Sequence, residues 1–128
     1  MNSKTLNLSF IIGWIVFISV LSLIPGNSFD PLQTPFWKKI YFDKFIHAGF
    51  YFVLNFLLLR RIELKKLNKI LFTILFSSFA FAYSGIIELL QGTVIISRNS
   101  DMIDLAANFA GITLAIIYFQ LRNPVKIK

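Results

Sequence analysis

Ser97-Arg98-Asn99-Ser100-Asp101-Met102-Ile103-Asp104-Leu105-Ala106-Ala107-Asn108-Phe109-Ala110-Gly111 places Arg98, Asp101, Asp104 and Asn108 at intervals of three, three and four residues. Wound as an α-helix, Asp101, Asp104 and Asn108 fall within roughly 60° of one face. From Met102 the segment is mostly apolar to Leu121, long enough to cross a bilayer. Each ionisable group near the bilayer centre costs about 2.5–3.5 kcal/mol on insertion scales. Two acids and an amide on one face of a membrane helix therefore need partners elsewhere in the chain.

The composition fits a membrane protein. Of 128 residues, 56% are hydrophobic and only 15% charged, and the mean hydropathy is +0.70; soluble domains carry about 25% charged residues. The apolar residues come in long blocks, which favours one integral membrane domain over 1–128 rather than a large soluble core. With no cysteine, disulfides, thiol redox chemistry and thiolate metal sites are excluded. The net charge of +7 sits in short flanks of apolar blocks, where it sets topology. A nucleic-acid partner is not expected, since that role needs a soluble basic domain.

Four spans follow from the blocks: Leu6–Ile24, Asp43–Leu59, Ile70–Leu90 and Met102–Leu121. The first is 19 residues long and has no small-x-small cleavage site, so it reads as a retained helix rather than a signal peptide. Between the first two spans, Gly26 to Phe42, with Pro31, Pro35, Phe36, Trp37, Lys38, Lys39, Tyr41 and Phe42, reads as an interfacial loop at the headgroup level. Arg60 to Lys69 reads as a short basic turn, and Gly92 to Ser97 as a brief connector. Asn99 or Ser100 is the expected cap of the fourth helix, with Asp101 in its first turn.

Four spans place the N-terminus, the second loop and the C-terminus on one side. That side holds Lys4, Arg60, Arg61, Lys65, Lys66, Lys69, Arg122, Lys126 and Lys128, nine of the 13 basic residues. Basic residues concentrate in cytoplasmic loops, so both termini are expected inside. The fold class is thus an all-α membrane protein, a bundle of four transmembrane helices with both ends cytoplasmic.

This orientation brings three stretches to one level at the outer face. Asp43, His47 and Tyr51 are four residues apart and descend one face of the second span. Glu88 and Gln91 close the third, and Arg98, Asp101, Asp104 and Asn108 open the fourth. An outward-facing polar pocket among these spans would satisfy them together. The competing explanation is interhelical glue, worth on average about 0.6 kcal/mol per contact. It suits Asn108 and Gln91, whereas intramembrane ionisable groups read as functional. Ala107-x-x-x-Gly111-x-x-x-Ala115 is a small-residue seam and reads as packing.

Asp43-Lys44-x-x-His47-x-x-x-Tyr51, Glu88-x-x-Gln91 and Arg98-x-x-Asp101-x-x-Asp104-x-x-x-Asn108-x-x-Gly111 together resemble the VanZ-like family of small bacterial membrane proteins. The resemblance covers about residues 20 to 120. Members often carry Pro-Gly before the arginine, where this chain has Ile96-Ser97, and a second glycine where it has Ala115; both departures concern backbone shape. The resemblance implies the bacterial cytoplasmic membrane and the cell envelope, and a link to resistance against the glycopeptide teicoplanin. It assigns no cofactor and no settled activity.

Two function classes remain open. In an enzyme acting on a lipid or lipid-linked envelope precursor, His47 is the candidate base or nucleophile. Glu88 or Asp104 then orients the ring or shares its proton, and Lys44 and Arg98 hold an anion. Asp43, Tyr51, Gln91, Asp101 and Asn108 complete the binding set. A metal-assisted variant has His47, Glu88, Asp43 and Asp104 as ligands, without any H-E-x-x-H pair. The alternative is a non-catalytic accessory subunit that holds a lipid headgroup or a partner membrane protein. A transporter is disfavoured, because four spans are few and no inverted repeat is evident.

Overall fold

The computed structural model describes residues 3–24, 42–65, 67–94 and 101–124. They form four helices: α1 (Ser3–Leu23), α2 (Phe42–Lys65), α3 (Lys69–Val94) and α4 (Met102–Arg122). Each is long and apolar enough to cross a membrane. At 1.5 Å per residue even the shortest spans about 30 Å, the thickness of a hydrocarbon core. A helix satisfies its own backbone polar groups, which lipid cannot do.

The bundle is more polar inside than outside. Phe10, Ile12, Val16 and Val20 on α1, Ile70 and Ile74 on α3, and Ile103, Leu114 and Leu121 on α4 are exposed, while Asn7, His47, Asn55, Ser84, Glu88, Gln91 and Asn108 are buried. In water such an apolar surface would be a liability; against lipid tails it is solvated, and the buried polar groups bond within the bundle, mostly to main-chain groups and, for His47 and Asn108, to each other.

The helix ends correct several sequence expectations. Arg60 to Lys65 continue α2 instead of forming a turn, because Arg, Glu, Leu and Lys are good helix formers and long basic side chains reach outward. A bond from Leu67 N–H to the Ile62 carbonyl, 3.0 Å, closes that helix, spanning six residues as helix C-caps do. Asn68 Oδ1 accepts from Leu71 N–H at 3.0 Å and starts α3. Gly92, Thr93 and Val94 belong to α3 and not to a connector. The cap of α4 is Asp101 itself, extended at φ −122° and ψ 115°, with Oδ1 accepting from Ile103 N–H at 2.8 Å. Phe42, expected to end the interfacial loop, opens α2 instead; the rest of that loop, Arg98, and the tail beyond residue 124 lie outside the described residues.

Contacts fix the arrangement. Asn7 with Leu57 and Trp14 with Phe50 set α1 antiparallel to α2. Gln91 with Ser22 and Tyr83 with Ser19 set α3 parallel to α1. Lys44 with Asp104, His47 with Asn108 and Asn55 with Ile112 set α4 parallel to α2. The Cα atoms of α1 and α4 stay more than 8 Å apart, whereas α2 packs closely on all three others. The start of α1, the end of α2, the start of α3 and the end of α4 therefore share one end, which is basic. The opposite end carries Asp43, Glu88, Asp101 and Asp104.

The tightest approach is between α2 and α4. A Cβ placed on Gly111 would collide with the Ala48 carbonyl oxygen and stand 2.8 Å from its carbon. Ala115, one turn further along, is fully buried, so the small-residue seam is the contact line. A main-chain carbonyl cannot rotate aside as a side-chain tip can, so added bulk must push the helices apart. Gly111→Ala is expected to destabilise the bundle by at least about 1–3 kcal/mol, the range for overpacking. Thermal unfolding of the purified protein in detergent measures this; Ala48→Gly should not rescue it, because the clash is with backbone.

Candidate functional site

At the acidic end the parallel pairing of α2 and α4 brings two helix N-termini together. Asp43 and Asp104 lie in first turns and Asp101 is a cap. Negative charge is stabilised at each of these positive dipole ends. Four acids gathered in one place repel one another, and Lys44 compensates. Its Nζ lies 3.0 Å from Asp43 Oδ2 and 2.7 Å from Asp101 Oδ2, and it also donates to Asp104 Oδ1. The Lys44 and Asp104 side chains are 16% and 15% exposed, against 60% for Asp43, so the inner pair is the desolvated part. Lys44 thus faces three carboxylates, where the sequence suggested a grip on an anion. Foremost the Lys44 contact, and then the Ile103 N–H, hold the Asp101 carboxyl below its ordinary 3.8, so it stays ionised at neutral pH.

One turn deeper is His47, buried at 8% exposure. Its Nε2 is 3.8 Å from Asp104 Oδ2 and its Nδ1 is 3.2 Å from Asn108 Oδ1. Both ring nitrogens face oxygens, the Asp104 carboxylate on one side and the Asn108 amide on the other. Asp104 therefore touches both Lys44 and His47, and it is the acid beside the imidazole. Glu88 takes a different place: its Oε1 accepts the main-chain N–H of Asp101, fastening the end of α3 to the start of α4 where the dipole favours a carboxylate.

Asp43, Lys44, His47, Glu88, Asp101, Asp104 and Asn108 are thus brought together. Gln91 is not among them. It turns to α1 and donates through Nε2 to the Ser22 carbonyl at 2.8 Å, which is interhelical stitching. Tyr51 continues below His47, almost fully buried, with its ring 6.1 Å from that of Tyr83. Its hydroxyl has no hydrogen-bond partner among the described residues. Arg98 lies outside those residues. Among them, no group of three or more His, Asp or Glu side chains is disposed to hold a metal ion; the three aspartates converge on an ammonium.

One residue was not anticipated. Asn55 is the next rung of the Asp43, His47, Tyr51 ladder and is fully buried. Its Nδ2 donates to the Ile112 carbonyl and to Ser77 Oγ, both at 3.1 Å, and its Oδ1 accepts from Ser77 at 3.3 Å. The i+4 spacing was the available signal.

The fold is that of a multi-pass α-helical membrane protein, a four-helix bundle with a charged cluster at one end of its α2–α4 pair. No family model, curated protein or solved structure matches the chain.

Replacing Lys44 by methionine leaves Asp101 and Asp104 facing each other. Lys44→Met is expected to cost roughly 1–3 kcal/mol, between the exposed and buried ion-pair limits. Adding Asp101→Asn and Asp104→Asn should return most of the loss, since the repulsion is then gone. Thermal unfolding in detergent reads both; if the triple variant is no more stable than Lys44→Met, charge compensation is not what Lys44 supplies.

Proposed function

We propose that the chain is a VanZ-like protein of the bacterial cytoplasmic membrane, with both termini inside and the acidic end at the outer face. There the cluster binds a lipid or lipid-linked cell-envelope precursor and presents it to His47 for proton transfer. The observation that carries this reading is the buried imidazole held between Asp104 and Asn108. Stitching alone needs no titratable ring, since an amide joins helices as well, as Asn55 and Gln91 do here. Histidine adds the ability to take and return a proton near neutral pH.

In this reading Asp104 stabilises the charged ring and Asn108 fixes its orientation. Lys44 keeps Asp104 placed rather than gripping substrate. The described cluster holds four carboxylates against one ammonium and one imidazole, so the ligand surface that meets it carries hydrogen-bond donors, hydroxyl or ammonium groups. Arg98 is the candidate for any phosphate of the same ligand. The link to teicoplanin follows from the family resemblance, and the outer face is where that antibiotic meets cell-wall precursors.

A second reading, the accessory subunit, is favoured by the engagement of Lys44 with three aspartates, which suits a rigid docking element. The two separate at His47. In a deletion strain carrying normally expressed variants, both His47→Ala and His47→Gln are expected to abolish the envelope or teicoplanin phenotype if proton transfer matters. Full activity of His47→Gln would sink that role. Under the accessory reading His47→Gln functions, and Asp104→Ala loses a copurifying membrane partner.

Orientation is tested separately, because the chain has no native cysteine. A single Thr93→Cys at the acidic end of α3 is expected to react with a membrane-impermeant maleimide in intact spheroplasts, and Ser3→Cys only after lysis. The reverse pattern would place the cluster in the cytoplasm.

A further inference from the structure

The opposite end of the α2–α4 pair holds a cavity of about 360 Å³, lined by Phe56, Arg60, Glu63, Phe119, Arg122 and Asn123. Ligand clefts run from roughly 300 to 1,000 Å³. It exists because α2 continues past Arg60 to Lys65 while α4 ends at Arg122, so the two helix ends stand around it.

None of Arg60, Glu63 and Arg122 forms an ion pair with a described residue. Arg61 differs: it lies outside the lining and donates to the Lys4 carbonyl at 2.7 Å. Arg122 leans on its own helix, donating to the Tyr118 hydroxyl at 3.5 Å with its guanidinium 5.9 Å from that ring's centroid. Lys69 Nζ is enclosed without a hydrogen-bond partner among the described residues, 5.4 Å from the centroid of Phe119, a ring of the cavity wall. An enclosed ammonium without an acceptor is costly, and an anion in the adjoining cavity would lower that cost through the field.

From Phe56 an apolar strip leads a turn into the bundle face. Phe56 and Tyr118 are 5.7 Å apart, Phe52 stacks on Phe56 at 6.5 Å, and Phe52 and Tyr118 are 6.2 Å apart. A charged cavity at a span end that opens onto an aromatic strip has the amphipathic form of a lipid. Basic pockets between membrane helices take phosphate headgroups, and two guanidiniums can bind the two free oxygens of a phosphodiester. Glu63 adds selectivity. Its carboxylate suits a primary ammonium, which donates hydrogen bonds, over a quaternary one, which does not.

We propose that this cavity binds a phospholipid whose headgroup carries both a phosphodiester and a primary ammonium, with an acyl chain along the Phe52, Phe56 and Tyr118 strip. The site is separate from the acidic cluster and does not depend on its function.

Native mass spectrometry of the full chain in detergent tests this, with titrations of phosphatidylethanolamine, phosphatidylglycerol and phosphatidylcholine of matched chains. Phosphatidylethanolamine is expected to bind tightest. Arg60→Gln with Arg122→Gln should weaken it by about tenfold or more, and Arg61→Gln should leave it unchanged. Glu63→Gln should weaken phosphatidylethanolamine and tighten phosphatidylglycerol, a gain that misfolding cannot imitate. Equal retention of phosphatidylcholine, equal harm from Arg61→Gln, or no effect of Glu63→Gln on the order of the lipids would overturn the assignment. Displacement by soluble phosphoethanolamine at equal concentration would mark a site for a free phosphate compound, and the lipid assignment would fail.

Discussion

Where α4 passes α2, the carbonyl of Ala48 fills the space a side chain on Gly111 would need, and the two backbones run in contact. The polar geometry of the bundle follows from that approach. Asp104 lies two turns before Gly111, and Lys44 one turn before Ala48. Helices held apart by a larger residue would leave the ammonium short of the carboxylates and His47 short of Asn108. Because the pair is parallel, both N-termini lie at one end, and their dipoles favour the acids that gather there. The contact therefore creates the charge problem as well as the proximity that lets Lys44 answer it.

The remaining helices are attached by a different device. Asn7 donates to the Leu57 carbonyl, Trp14 to that of Phe50, Tyr83 to that of Ile15 and Gln91 to that of Ser22. Each acceptor is a helix carbonyl with a second lone pair available, so no α-helical bond is broken to receive the donor. Each stitch is modest, on average about 0.6 kcal/mol. Spread along α1, α2 and α3, they fix rotation and register, which lipid-facing Leu, Ile and Phe cannot specify, since one apolar face meets the bilayer as well as another. Removing any one should loosen the bundle less than bulk at Gly111.

How much of this could be read from the sequence depended on the kind of signal. The four spans were legible because apolar length is dictated by bilayer thickness. The Asp43 to Tyr51 ladder and the Asp101 to Asn108 face were legible because charge in an apolar run is conspicuous, and both do meet at the cluster. Asn55 passed unnoticed although it continues the ladder, being neutral and set among Leu54, Phe56 and Leu57. The ends of α2 and α3 were placed too early because basic residues and a glycine were taken as stops, whereas helices tolerate both near a membrane surface. Gln91 was grouped with the acids by its spacing from Glu88, but three residues along a helix leave about 60° of rotation, enough to aim it at α1. Its acceptor there is a main-chain carbonyl, which no side-chain pattern advertises. Who neutralises whom was equally hidden, because pairing at the cluster is settled by the approach of two backbones.

The two ends of the α2–α4 pair differ in a way that bears on what each could bind. At the acidic end Lys44 is surrounded and His47 has an oxygen at each ring nitrogen, so a ligand there must either supply donors to the remaining carboxylate oxygens or compete with internal contacts already made. At the basic end Arg60, Glu63 and Arg122 lack ionic partners among the described residues, and a ligand supplying opposite charges breaks no ion pair there. Affinity should therefore come more readily at the basic end. At the acidic end the same pre-formed contacts that weaken binding hold an imidazole in one orientation, which favours acting on a transient ligand over retaining one.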